Sequence, residues 1–403
     1  MNWLEYLHGT SPALHDELVA IRRDLHQNPE LAFEEVRTAG IVAEFLRQLG
    51  LSPQEGVAKT GVVCELKGDP NGPVVALRAD MDALPIHEEN ETAYISQQPG
   101  KMHACGHDVH TSSLLGVAKL LAPIQHELPG TLKLIFQPSE EKLPGGASVM
   151  IAEGALQNPN VQSIVGQHVA PFLEVGQVGV RSGKYMASTD EIYLTIHGKG
   201  GHGALPHSAI DPVVIMAQVI MSLQTVVSRT ADPRLPSVLT FGDVHGHGAT
   251  NVIPPKVALQ GTFRTFDEAW RSRAHKQIER IVQGVVEGLG GRAELEIRRG
   301  YPFLVNDEAV SANVREGLVE FMGEDQVVDL PIWPAAEDFA YYTHVVPGCF
   351  YRLGTGNAAA GIQHGLHHPR FDVDERALAH APGLMAWLGI RELRRLAHQA
   401  VVV

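Results

Sequence analysis

Residues 102–110 read Met102-His103-Ala104-Cys105-Gly106-His107-Asp108-Val109-His110. A thiol, a carboxylate and three imidazoles fall within nine residues that have little apolar side chain to bury. Cys105 and His107 flank a glycine, so a backbone bend at Gly106 turns both side chains toward one point. Thiolate with neutral imidazole is the donor pair a borderline-soft divalent ion such as zinc takes. A histidine-rich turn alone is equally compatible with polar surface. Beyond it, Glu140-Glu141 follow the apolar run 131–136, His168 follows the run 163–165, and His367 stands near the end of the chain. Strand-like runs that end in polar chemistry, alternating with helical stretches, predict an open α/β sheet with its ligand site outside the carboxyl ends of the strands.

A chain of 403 residues predicts two domains. Lys plus Arg total 32 against 46 for Asp plus Glu, a formal charge of -14 with no basic cluster, which argues against a nucleic-acid partner. The first residues lack a basic region followed by an apolar stretch. No later run approaches the roughly 18 to 20 apolar residues that span a bilayer. Three cysteines predict no disulfide scaffold and fit a reducing cytoplasm, with Cys64 and Cys349 read as core thiols inside strand-like runs.

In chain order, Ser11-Pro12 opens a helix whose face carries Leu14, Leu18, Ile21 and Leu25 and which Asn28-Pro29 ends. A second helix covers residues 35–49. Strands at 61–66 and 74–77 flank the turn Gly68-Asp69-Pro70-Asn71-Gly72, and the second runs into Asp80 and Asp82, two acids that face one pocket or form a solvated rim. From about residue 183 the order becomes strand, helix, two strands, helix, strand, that of a small ferredoxin-like α+β module inserted between two halves of a larger domain. The expected divisions are 1–182, 183–297 and 298–403. A final helix is expected from Asp374 to about Leu396, broken near Pro382 and Gly383.

Cys105, His107, Glu141, His168 and His367 are the candidates for a cluster holding two divalent ions. An adjacent Glu-Glu pair is ordinarily solvated surface; here it follows an apolar strand and a proline. Neighbouring carboxylates point in different directions, so one can hold metal while the other takes a proton from water, and spacing leaves open which does which. Most of the remaining histidines read as solvent-facing or locally bonded.

The chain resembles the metal-dependent amidohydrolases and carboxypeptidases of the M20 type, grouped with hippurate hydrolase, N-acyl-amino-acid deacylases and auxin-conjugate hydrolases. The marks are Arg23-Asp24-Leu25-His26-Gln27-Asn28-Pro29-Glu30-Leu31, Arg78-Ala79-Asp80-Met81-Asp82-Ala83-Leu84-Pro85-Ile86 and His103-Ala104-Cys105-Gly106-His107-Asp108, then Phe136-Gln137-Pro138 before Glu140-Glu141, Glu337-Asp338-Phe339, and Leu366-His367 before Pro369. The resemblance covers essentially the whole chain. It implies a mixed-sheet α/β zinc-peptidase-like catalytic domain with an inserted lid and dimerisation domain.

It implies two divalent ions per subunit (Zn, Mn, Co or Ni) on Cys105, His107, Glu141, His168 and His367, with Glu140 as general base and acid. It further implies that His202, in Gly200-Gly201-His202-Gly203, polarises the scissile carbonyl in a neighbouring subunit's site. Asn251 and Arg264 engage the substrate, and Asp82 supports a ligand. The implied reaction is amide hydrolysis of N-acyl-L-amino acids or short peptides by a cytoplasmic homodimer or tetramer. A carboxypeptidase or dipeptidase of the same fold, and a non-catalytic metal- or ligand-binding protein, are the alternatives. Val109, Ser139 and Ala336 stand where the family usually has glycine, alanine and serine; none removes a ligand or the base.

Overall fold

Residues 74–80, 131–137 and 348–356 are rich in apolar side chains because the strands they form are buried along nearly their whole length, as strands covered on both faces must be. The computed structural model describes residues 1–402, with side chains described as far as Gln399. They fall into two compact units, Met1–Tyr185 with Val305–Ile332 and Asp338–Val403, and Met186–Leu304 with Trp333–Glu337. The second unit begins at Met186 and ends its main stretch at Leu304, against the expected 183 and 297.

In the first unit, β1 (Gln54–Val57), β2 (Gly61–Lys67), β3 (Val74–Asp80), β4 (Thr131–Gln137), β5 (Ser163–Glu174), β6 (Val178–Val180), β7 (Val327–Asp329) and β8 (Gly348–Gly356) form one sheet in the order β1-β2-β4-β3-β5-β8-β6-β7. Its centre is parallel, from β4 through β3 and β5 to β8. Antiparallel pairs β1-β2, β2-β4 and β8-β6 flank it, so the sheet is mixed. The parallel centre aims several carboxyl ends at one region. The helix His107–Leu121 packs Leu114, Leu115, Val117 and Leu121 into the same core as Leu77 and Phe136 of the sheet. A Cβ on Gly116 would come within 2.6 Å of Pro382 Cβ and 2.9 Å of Leu18 Cδ1, so the helices His15–Gln27 and Ala381–Val402 approach closely there.

Three ends differ from expectation. A short helix, Trp3–Thr10, precedes the expected one and is capped by the Asn2 side chain. Ser11–Leu14 is a 3₁₀ turn that leads into the α-helix. The final helix starts at Ala381, with Pro382 in its first turn, where a missing amide hydrogen breaks no helical bond. The residues before it, Glu375–Ala379, form a separate 3₁₀ turn.

The second unit holds a four-stranded antiparallel sheet in the order Ser237–His245, Lys256–Thr265, Asp190–His197, Arg292–Arg299. Burial alternates along Asp190–His197, so Ile192, Leu194 and Ile196 line one covered face. Trp270, Ala274, Ile278, Val282 and Val286 recur every four residues on the helix Glu268–Gly288 and share that core with Ile215, Val219 and Leu223 of Pro212–Thr225. Among the described residues one helical stretch, Pro212–Thr230 with 19 residues, is long and apolar enough to cross a membrane by length and composition alone. Its apolar residues are interleaved with Gln218, Ser222 and Gln224, so no unbroken run announces it. Its inner face is the core of this unit.

Candidate metal centre

Gly106 does what the bend required: its φ is +80°, and a Cβ would lie 2.5 Å from Val169 Cγ2, so no other residue fits this turn without displacement. The turn starts the helix at His107 and turns Cys105 toward β5, where Cys105 Sγ lies 3.4 Å from His168 Nε2. Glu140 and Glu141 follow the end of β4. His367 arrives on a loop tied to the turn by its own amide, which donates to Ala104 O at 2.8 Å, and its Nε2 is 3.2 Å from Glu141 Oε1. Donor atoms of Cys105, His107 and His168 lie within 4.8 Å of one another, as do those of Cys105, Glu141 and His367, and of His107, Glu140 and Glu141. The ligand candidates named from sequence therefore meet in one cluster with Glu140 beside them.

Hydrogen bonds fix which nitrogen of each ring is available. His168 Nδ1 donates to Val169 O at 2.8 Å, leaving the Nε2 lone pair turned toward Cys105. His107 Nδ1 donates to Asp82 Oδ1 at 3.2 Å, and its Nε2 is buried with no hydrogen-bond partner. Glu141 Oε1 is likewise buried, with His367 Nε2 3.2 Å away. Orphaned buried donors and acceptors are rare because each costs about 1–3 kcal/mol. Burial lowers the pKa of His107, yet Asp80 and Asp82 overcome it and raise it to about 10, so the surroundings favour positive charge on that ring. Burial, Glu141 and Glu140 push the Cys105 thiol well above its usual range; a cation beside it reverses that balance and yields the thiolate. Thiol, imidazole and carboxylate donors at one buried point suit divalent cations.

Asp82 has three partners. Besides His107 it accepts from Glu140 N at 2.9 Å and from Glu141 N at 3.0 Å, so one carboxylate orients an imidazole and holds the backbone of both glutamates. Asp82→Ala should weaken metal binding by about 10–100-fold. A competition titration against a chromogenic chelator measures this, and wild-type affinity would remove Asp82 from the support of the site.

Sequence reading gave no role to the network behind the cluster. Asp80 and Asp82 are both buried, so neither forms a solvated rim. His110 Nδ1 donates to Asp80 Oδ1 at 2.5 Å, while its Nε2 accepts from Val169 N at 2.9 Å. His110 thus holds Val169, the residue whose carbonyl orients His168. Arg78 donates to the other Asp80 oxygen at 2.5 Å and to Asp338 Oδ1 at 2.8 Å; Asp338 also accepts from Gln137 and from Ala147 N, and its own amide donates to Glu140 Oε1 at 3.3 Å. The signal was present in the Arg78–Asp82 and Glu337–Phe339 motifs, but a motif does not say which atoms meet.

His202, Asn251 and Arg264 belong to the second unit. His202 is exposed, pairs with Val252 in a two-stranded ladder, and accepts from Ala204 N through Nδ1 at 3.1 Å. Gly203 N donates to Asn251 O at 2.8 Å, so His202 and Asn251 are neighbours on adjoining segments. Arg264 is half-buried on the sheet, with Nε on Thr262 Oγ1 at 3.1 Å.

The sequence profile of the peptidase family M20/M25/M40 matches residues 76–386. N-acetyl-L-cysteine deacetylase of Bacillus subtilis is 40% identical over 368 residues, covering 91% of this chain and 86% of that protein. Thermostable carboxypeptidase 2 of Saccharolobus solfataricus is 38% identical over 389 residues, covering 94% and 98%. Among solved structures, a Bacillus subtilis dinuclear metal binding peptidase from the M20 family superposes with a TM-score of 0.81 at 36% identity, over 95% of this chain and 99% of that one. With a profile spanning most of its length and full-length relatives well above chance identity, the chain belongs to the M20/M25/M40 peptidase family and is a metal-dependent amidohydrolase.

Proposed function

We propose that this enzyme hydrolyses the amide bond of N-acyl-L-amino acids, with an acetyl, benzoyl or similar acyl group, to a carboxylic acid and a free amino acid. The observation that carries the reading is a buried carboxylate, Glu140, beside a cluster of thiol, imidazole and carboxylate donors in which only His367 is exposed. Cys105, His107, Glu141, His168 and His367 would hold two divalent cations, drawn from Zn, Mn, Co and Ni, with the Cys105 thiolate favouring the softer of them. Bound there, the cations supply Lewis-acid polarisation of a carbonyl and lower the pKa of water. Glu140 takes one proton from the attacking water and returns it to the leaving nitrogen, so water adds across the C–N bond and Glu140 ends as it began.

In this proposal His202 donates to the developing oxyanion in a neighbouring subunit's site, while Asn251 and Arg264 engage the substrate or its carboxylate. His202→Ala should lower kcat by about 10²-fold with unchanged metal content, measured as turnover beside metal analysis; an unchanged rate takes His202 out of the mechanism. The second unit serves as lid and as the contact of a homodimer, or of a tetramer of dimers. Two features support that contact: Val213, Val214 and Met221 are exposed on the helix Pro212–Thr225, and Val238 and Val244 on the edge strand beside it. The three buried free cysteines fit a cytoplasmic location.

A relative named as a carboxypeptidase makes peptides the competing substrate. Acetyl- and benzoyl-amino acids should exceed dipeptides by about 10-fold or more in kcat/KM, as one missing acyl-pocket contact would dictate. The test is a parallel panel with each metal added. The reverse order favours the carboxypeptidase reading, and bound metal without any turnover overturns both.

A further inference from the structure

Glu35 is fully buried, yet it caps nothing at the start of its own helix, Val36–Gln48. Its carboxylate reaches across 104 residues of sequence instead, where Oε1 accepts from Ser139 N at 2.8 Å. The same oxygen accepts from Phe33 N at 2.9 Å, and Thr60 Oγ1 lies 2.6 Å from Oε2. Ser139 has a φ of +53°, a left-handed conformation that costs a non-glycine residue about 1–2 kcal/mol and persists only when the surroundings hold it. Beyond it, Glu140 N and Glu141 N both donate to Asp82. Successive amides of the loop carrying the base are therefore gripped by two buried carboxylates, and the first grip is Glu35.

We propose that Glu35 is a positioning residue for Glu140: by holding Ser139 in its left-handed conformation it fixes where the next side chain points. The inference rests on Glu140 being the base. Burial, reinforced by Asp82, raises the Glu35 pKa to about 7. In the neutral acid Oε1 remains an acceptor for Ser139 while Thr60 takes the acid proton, so the grip survives in both protonation states. Glutamine reproduces that arrangement and alanine abolishes it.

The test compares Glu35→Ala, Glu35→Gln and Glu140→Gln with the wild type, by hydrogen exchange of the 139–142 peptide in the metal-free protein and by kcat, KM and metal stoichiometry in the loaded one. Glu35→Ala should exchange faster in that peptide and lose about 10–100-fold in kcat, as a misplaced catalytic group does, with KM and metal content unchanged. Glu35→Gln should restore both. If alanine leaves too little soluble protein, Glu35→Asp, one carbon too short to reach Ser139, replaces it with the same expectation. Wild-type exchange and kcat in the alanine or aspartate variant overturn the proposal, as does a glutamine variant as impaired as alanine. A fully active Glu140→Gln overturns the base assignment and the positioning role with it. An inactive Glu140→Gln beside an unimpaired alanine variant overturns the role of Glu35 alone.

Discussion

Glu140→Gln should bind divalent metal as the wild type does and lose turnover by about 10²–10⁴-fold, the usual contribution of a positioned base. Glutamine keeps the size of the side chain and an oxygen for the Asp338 amide, which lies 3.3 Å from Glu140 Oε1, so the loop has no reason to move. What it lacks is the capacity to take a proton. The neighbouring residue is the control. Glu141 groups with Cys105 and His367, its Oε1 is buried, and His367 Nε2 is 3.2 Å away. Glu141→Gln should therefore lose metal as well as activity. Metal analysis of both purified variants, beside hydrolysis of acetyl- and benzoyl-amino acids, separates the roles. A Glu140→Gln protein that loses metal while Glu141→Gln keeps it would exchange the two assignments.

The sequence revealed donors more readily than supports, and the reason is physical. Metal ligands are chemically unusual residues, and a thiol and an imidazole flanking a glycine stand out wherever they occur. His168 was placed at the exit of a three-residue run, whereas β5 continues to Glu174 because β8 pairs alongside it as far as Gly356, so the ligand lies inside a strand. Neither Asp108 nor Thr111 caps the helix at His107, although both types are common caps. Asp108 turns back to Arg22 and His26, and Thr111 donates to Asp80 O at 2.9 Å. Polar pairings of that kind have no periodicity. Glu35 meets Ser139 and His110 meets Val169 only because the sheet brings their segments together, and nothing in the local pattern of either segment encodes its partner.

The same distinction decides the largest stability effect. Arg22 lies on the helix His15–Gln27, fully buried, with Nε 2.8 Å from Asp108 Oδ2, Nη1 3.2 Å from Glu375 and Nη2 3.3 Å from Asp372. Asp108 follows the ligand His107, so this pair fastens the first turn of the metal-bearing helix to the chain's N-terminal segment. Arg22→Ala leaves Asp108 buried with His26 as its remaining charged partner, and should destabilise the protein by about 3–5 kcal/mol, the cost of removing one member of a buried ion pair. Burial alone would raise the Asp108 pKa, but Arg22 and His26 overcome it and hold it far below the ordinary carboxylate value. A depressed folded-state pKa contributes stability above the unfolded value of about 3.9, and that contribution is lost as pH falls through the folded one. In the variant the burial effect loses its main opponent, so acid neutralises Asp108 more readily and relieves the strain it causes. The gap between wild type and variant should therefore be widest near pH 7 and narrow toward pH 4. Thermal and urea unfolding at both pH values reads this directly, and a gap under about 1 kcal/mol, the scale of an exposed pair, or one that does not change with pH, would show that Arg22 fills space there rather than neutralising Asp108.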